Sequence, residues 1–155
     1  MSTSTSQSGA PGAGAAPVKF RKRWFFQRAL GVCATHEPAD PGCWEVANGR
    51  VLIDLARAPE LAAPGGALRL EGRSLPNRVL IVRGERGEFR AYVNGCTHGG
   101  RRLDPVPGED TIQCCSVGKS TFDSEGNVIF GPAKQALTRL AVEPEESRLV
   151  VSLSR

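Results

Sequence analysis

From Arg50 onward, short apolar stretches alternate with clusters of turn residues. Val51–Leu55, Ala67–Leu70, Arg78–Val82, Phe89–Val93, Thr111–Gln113, Asn127–Phe130 and Arg148–Leu153 each have the length and apolar content of a β-strand. Gly65-Gly66, Pro76-Asn77, Gly84–Gly87, Pro107-Gly108 and Ser124-Glu125-Gly126 supply turns between them. Seven or more short strands at close spacing predict an all-β domain over residues 50–155, a sandwich or a small barrel. Helical periodicity is weak after Leu30, and there is no internal repeat.

The pattern upstream is different. Residues 1–17 are almost all Ser, Thr, Gly, Ala and Pro, too poor in large apolar side chains to repay their ordering entropy, so a disordered tail is expected. Residues 18–49 form an extension. Its first part mixes bases with Phe20, Trp24, Phe25 and Phe26, and predicts a short helix whose aromatic side docks on the domain. A basic contact with an anionic membrane surface or an acidic partner is the alternative. Its second part, residues 31–49, holds Pro38, Pro41, Gly42 and Gly49 and reads as loop. Trp24 and Trp44 read as packing anchors.

Charge sharpens this division. The chain of 155 residues carries a net charge of +4, but residues 1–30 hold five bases (Lys19, Arg21, Lys22, Arg23, Arg28) and no acid. The body therefore has no basic excess, and nucleic-acid binding by it is not expected. No apolar run approaches the ~18 residues of a membrane span. The N-terminus lacks the apolar stretch of a secretory or twin-arginine signal, so a cytoplasmic location is expected.

Five cysteines, two of them adjacent, do not resemble a secreted disulfide framework; reduced thiols or metal ligands are expected instead. Cys33-Ala-Thr-His36, followed by Cys43, is a weak metal signal, and an incidental role is favoured. The stronger constellation is Asn94-Gly-Cys96-Thr-His98-Gly-Gly100, followed by Gln113-Cys114-Cys115-Ser-Val-Gly118-Lys119-Ser120-Thr-Phe122-Asp123 and by Gly131-Pro132-Ala133. In an extended loop Cys96 and His98 project to the same side, so a thiolate and an imidazole could grip one metal centre. Fifteen residues separate His98 from Cys114, and sixteen separate it from Cys115.

These motifs resemble the Rieske [2Fe–2S] family, in which C-x-H and, later, C-x-x-H hold one iron by two cysteines and the other by two histidines. The resemblance covers residues 50–155. It implies an antiparallel sandwich or small barrel with an inserted cluster-binding subdomain, behind the non-globular N-terminal arm that composition predicts. It also implies a [2Fe–2S] cofactor held by Cys96, His98, Cys115 and Cys114. Around it would stand Ser120, matching a serine that hydrogen-bonds a cluster sulfide, Phe122, where high-potential members carry tyrosine, and Gly131 and Pro132 of a covering loop.

The second loop departs from the family pattern. Aligned without a gap, Cys115 takes the cysteine position and Gly118 stands at the second histidine; shifted by one, these become Cys114 and Val117. Neither Gly118 nor Val117 can bind iron through its side chain. Three thiolates with His98 could supply four ligands, although adjacent cysteines tend to point to opposite sides. Alternatively His36 or Lys119 could reach in, or the cluster could be absent. Arg101-Arg102 reads either as a positive rim for an anionic partner or as a solvated pair.

The first loop lacks the second cysteine of cytochrome bc-type members, and there is no length for a mononuclear iron domain. The resemblance therefore implies a small electron-transfer protein or accessory subunit, not an enzyme alone, working with a redox partner protein. A cluster-free binding or regulatory subunit is the first alternative. A zinc site on the same Cys/His set is the second.

Overall fold

The computed structural model describes residues 17–154 with the exception of 24 and 73. The tail expected over residues 1–17 falls almost wholly outside them, as does Trp24. Among the described residues the secondary structure is nearly all β, in three four-stranded antiparallel sheets.

The first sheet runs β1 (Trp44–Ala47), β2 (Arg50–Asp54), β12 (Arg148–Ser152) and β11 (Val142–Pro144). The second runs β10 (Arg139–Leu140), β5 (Phe89–Val93), β4 (Val79–Arg83) and β3 (Ala67–Leu70). The third runs β6 (Leu103–Pro105), β7 (Thr111–Cys114), β8 (Thr121–Asp123) and β9 (Val128–Phe130). Its four strands lie in sequence between β5 and β10, so it is an insertion into the second sheet's connectivity.

Strand β4 explains the layering. Its run Val79-Leu80-Ile81-Val82 is buried throughout, as a strand covered on both faces requires. Val79 and Ile81 join Val51, Ile53, Leu149 and Val151 in a core against the first sheet. Leu80 and Val82 alternate to the other face, where they meet Leu103, Ile112 and Phe122 of the third sheet. Tyr92 sits in this second core and donates its hydroxyl to the Ser124 carbonyl at 2.6 Å.

Two expectations for the extension are corrected. Trp44–Ala47 is a strand, not loop, because Asn48 (φ 51°) and Gly49 (φ 71°) turn it back onto β2 as a tight hairpin; Trp44 is buried in the first core. The helix α1 (Phe25–Ala29) is a little over one turn long and does not dock by its aromatic side. Phe25 and Phe26 are 66% and 73% exposed, and the buried side chain is Arg28. The segment is anchored by polar groups, which sequence periodicity does not register.

Candidate metal centre

Strand β5 ends in the first loop and β7 in the second. Asn94, buried at the end of β5, accepts the Leu103 N–H through its Oδ1 at 2.8 Å, which closes the loop from Gly95 to Arg102 at its base. Within that loop the Cys96 carbonyl accepts the Gly100 N–H at 2.7 Å. The second loop is closed by the Cys114 N–H donating to the Ser120 carbonyl at 2.8 Å.

Burial alternates along β7 and just beyond it. Ile112 and Cys114 belong to the second core, while Gln113 is buried against the N-terminal segment and Cys115 turns the same way. This is the two-residue period of an extended chain. Cys114 therefore comes together with Cys96 in the second core, where each thiol sets the charge balance of the other. The Cys114 thiol, the backbone N–H groups of His98 and Gly99, and the Ser120 hydroxyl all stabilise charge on the Cys96 sulfur. They hold its pKa below the ordinary thiol value. Cys114 moves the other way, raised by its hydrogen bond with Cys96 and by burial. Its sulfur also lies 3.1 Å from the Ser116 hydroxyl.

Cys115 is placed elsewhere. Its sulfur is bonded to that of Cys33, with the Cα atoms 5.7 Å apart, a separation typical of disulfides. This corrects the expectation that the cysteines are reduced thiols or metal ligands throughout. The bond staples the N-terminal segment to the second loop. Asp104 lies beside it, 3.3 Å from Cys115 Sγ. Donor atoms of Cys33, Asp104 and Cys115 fall within 4.8 Å of one another. The Asp104 carboxylate is already taken by the Arg23 guanidinium and by the N–H groups of Ala34 and Thr35, at 3.0 and 2.8 Å.

His98 and Cys114 border one cavity of about 300 Å³, with Val117 and Gly118 from the second loop and Arg28 and Arg101 at its side. The remaining candidate donors are not brought in. His36 is exposed beside β3, where its carbonyl accepts the Arg69 N–H. Lys119, at φ 52°, directs its Nζ over the Phe20 ring, 5.1 Å from the centroid. Cys43 is buried in the first core. Val117, 47% exposed, occupies the place three residues after Cys114.

The covering loop is held closely. The Ser120 hydroxyl accepts the Ala133 N–H at 3.1 Å, and the Thr97 hydroxyl donates to the Gln135 carbonyl at 2.6 Å. Gly131, at φ 91°, has no room for a side chain: a Cβ there would lie 2.6 Å from Ser120 Cα. A Cβ on Gly118 would meet the Pro132 ring at 3.1 Å. Phe122 is fully buried behind the second loop.

Sequence reasoning missed the polar floor under β7. Gln113 Oε1 accepts from Arg28 Nη2 at 2.9 Å, and its Nε2 donates to Thr121 Oγ1 at 3.0 Å. Arg21 donates to the Pro105 carbonyl at 2.7 Å, and Lys19 pairs with Glu109. Of the two arginines after the first loop, Arg102 forms a forked pair with Glu71, at 2.5 and 2.8 Å.

Tested against these residues, a [2Fe–2S] group finds three of the four protein donors it needs: Cys114 and His98 on one cavity, and Cys96 buried with Cys114 in the second core. The position of the second histidine offers no donor.

Residues 54–142 match the family model described as the Rieske [2Fe-2S] domain. Comparison with curated proteins finds no match. Among solved structures, a quaternary ammonium Rieske monooxygenase aligns at 21% identity and a TM-score of 0.49, covering 62% of this chain and 30% of that one. The plasma membrane Rieske protein of Synechocystis PCC 6803 aligns at 25% identity and a TM-score of 0.46, over 54% of this chain and 85% of that one. The ferredoxin of carbazole 1,9a-dioxygenase from Nocardioides aromaticivorans IC177 aligns at 18% identity and a TM-score of 0.49, over 57% and 86%. No helix among the described residues is long and apolar enough to cross a membrane.

Proposed function

The chain belongs to the Rieske [2Fe–2S] domain family, and we propose that it is a small electron-transfer protein or the electron-carrying accessory subunit of an oxidoreductase system. Cys96 and Cys114 hold one iron, and His98 holds the other. A cluster bound there would supply one-electron chemistry.

The observation that carries this reading is the environment of the Cys96 sulfur. The Cys114 thiol, the N–H groups of His98 and Gly99 and the Ser120 hydroxyl together hold its pKa below the ordinary thiol value. Such a set of donors stabilises thiolate charge, which a metal ligand needs. A purely structural buried cysteine has no use for it, as Cys43 illustrates: burial in the core pushes its thiol up. The exposed His98 gives the centre an edge open to a protein partner. The reading assigns no bond-making chemistry to the chain itself.

The cluster-free binding subunit is the second reading. Val117 favours it, because the second histidine position has no ligand atom.

Anaerobic purification with iron, acid-labile sulfide and visible absorption measured on one sample separates the two. Visible absorption with iron and sulfide in equal amounts supports the carrier. A colourless, iron-free protein that stays so after reconstitution supports the binding subunit and overturns the carrier.

A further inference from the structure

The helix α1 is inside out. A surface helix ordinarily turns its apolar side to the core and its charged side to water. Here the buried side chain is Arg28, while Phe25, Phe26 and, just past the helix, Leu30 are 66%, 73% and 76% exposed. Fraying does not explain this. The Val32 N–H donates to the Gln27 carbonyl at 2.8 Å and the Gly31 N–H to the Arg28 carbonyl at 3.1 Å, with Gly31 at φ 65°. These are the paired bonds of a Schellman motif, a defined helix end. From beneath, the Arg28 guanidinium donates to the Arg21 carbonyl at 2.7 Å and to the Gln113 amide oxygen at 2.9 Å. Cys33, bonded to Cys115, ties down the chain just beyond. The segment is therefore fixed with its apolar side outward, which marks a surface that another body covers.

The charge around that side has one sign. No Asp or Glu precedes Glu37 in the chain, and none lines the space between α1 and the first loop. Most bases of the arm are used by the domain: Lys19 pairs with Glu109 and Arg23 with Asp104, while Arg21 and Arg28 hold carbonyl and amide oxygens. Lys22 and Arg101 are left exposed, with no carboxylate partner among the described residues. Lys22 lies three residues before Phe25, and the Arg101 guanidinium lies against Gly31, so the two cations flank the apolar side.

We propose that this face docks on an anionic membrane surface. Phe25, Phe26 and Leu30 enter the boundary between headgroups and acyl chains, and Lys22 and Arg101 meet the lipid phosphates. Side chains this exposed stand proud of the protein, and a fluid interface receives them without preformed sockets. A second copy of the chain fits less well, because face-to-face contact would bring the same cations together. Residues 1–16 hold no aromatic or branched apolar side chain that could fold back over the face. The small apolar area makes the contact peripheral and reversible. It is independent of the electron-carrier reading, since none of its residues is an iron ligand.

The test is co-sedimentation of the full-length protein with vesicles of phosphatidylcholine, with and without phosphatidylglycerol. Saturable binding to the phosphatidylglycerol vesicles is expected, weakened by added salt and by removal of the anionic lipid. The Phe25→Ser/Phe26→Ser double variant is expected to bind about tenfold more weakly or less. Lys22→Gln and Arg101→Gln are each expected to lose about fivefold. All of these side chains are exposed, so thermal unfolding of the variants is expected to match wild type. Failure to bind either vesicle would overturn the proposal and leave the face to a protein partner. Equal binding to both vesicles, or undiminished binding by the double variant, would also overturn it. So would a dimer in sedimentation velocity that the double variant dissolves, because the face would then belong to a second copy.

Discussion

Cys114 turns its sulfur to Cys96, while Cys115, the next residue, is bonded through its sulfur to Cys33. One pleat of extended chain thus assigns two neighbouring cysteines to different tasks. The Cys33–Cys115 bond spans 82 residues of sequence. Closing so long a loop restricts the unfolded chain, so Cys33→Ser is expected to lower the unfolding free energy by roughly 2–4 kcal/mol in denaturant titrations. Equal stability of the two proteins under non-reducing conditions would argue against the staple.

Ser120 joins the covering loop to the centre: its hydroxyl accepts the Ala133 N–H and helps to hold down the Cys96 pKa. A hydroxyl donated to sulfur favours the more negative, reduced cluster. Ser120→Ala is therefore expected to lower the reduction potential by on the order of 50 mV while leaving iron content unchanged. Protein-film voltammetry measures it, and an unchanged potential would show that the hydroxyl does not face the charge.

Gly131→Ala is expected to destabilise the fold by about 2 kcal/mol or more, because the residue has positive φ and its Cβ would strike backbone. The opposing atoms, Ser120 Cα and N, cannot rotate away as a side chain could. Thermal unfolding of the variant checks this, and a Tm equal to wild type would mean the covering loop is free to move.

Tyr92 gives an alkaline signature. Burial pushes its phenol up from 10.0 to about 12. In the unfolded chain it ionises near pH 10, so above that pH the folded state holds a proton the unfolded state has lost. Its contribution to stability is whole below about pH 10 and falls away as pH rises through about 12, by roughly 2–3 kcal/mol. Tyr92→Phe should flatten that part of a stability–pH curve, and an unaltered slope would assign the loss to other groups.

The apolar runs were the legible part of the fold. Val79–Val82 reads as a strand, and the same run buries both faces of β4. Trp44–Ala47 was hidden by the Pro- and Gly-rich residues before it, although Asn48-Gly49 between two apolar stretches is a hairpin signal. The centre was legible in its residue types but not in its pairing. A gapless match puts Cys115 at the cysteine position, whereas the structure allows one more residue between Cys114 and Ser120, with Lys119 turned to φ 52°. Adjacent thiols cannot be told apart until the strand's facing is known. The docking of the extension was illegible for another reason. It depends on Arg28, Gln113 and Asp104, and buried polar contacts leave no periodic trace.

Of the two adjacent cysteines, the one that faces Cys96 is expected to bind iron. Iron, sulfide and EPR measured side by side on wild type, Cys114→Ser and Cys115→Ser, all purified anaerobically, decide it. After reduction with dithionite, the expected result is a [2Fe–2S] signal with two irons per chain in wild type, retained in the less stable Cys115→Ser protein and lost in Cys114→Ser. Iron that survives Cys114→Ser and disappears with Cys115→Ser would contradict the account.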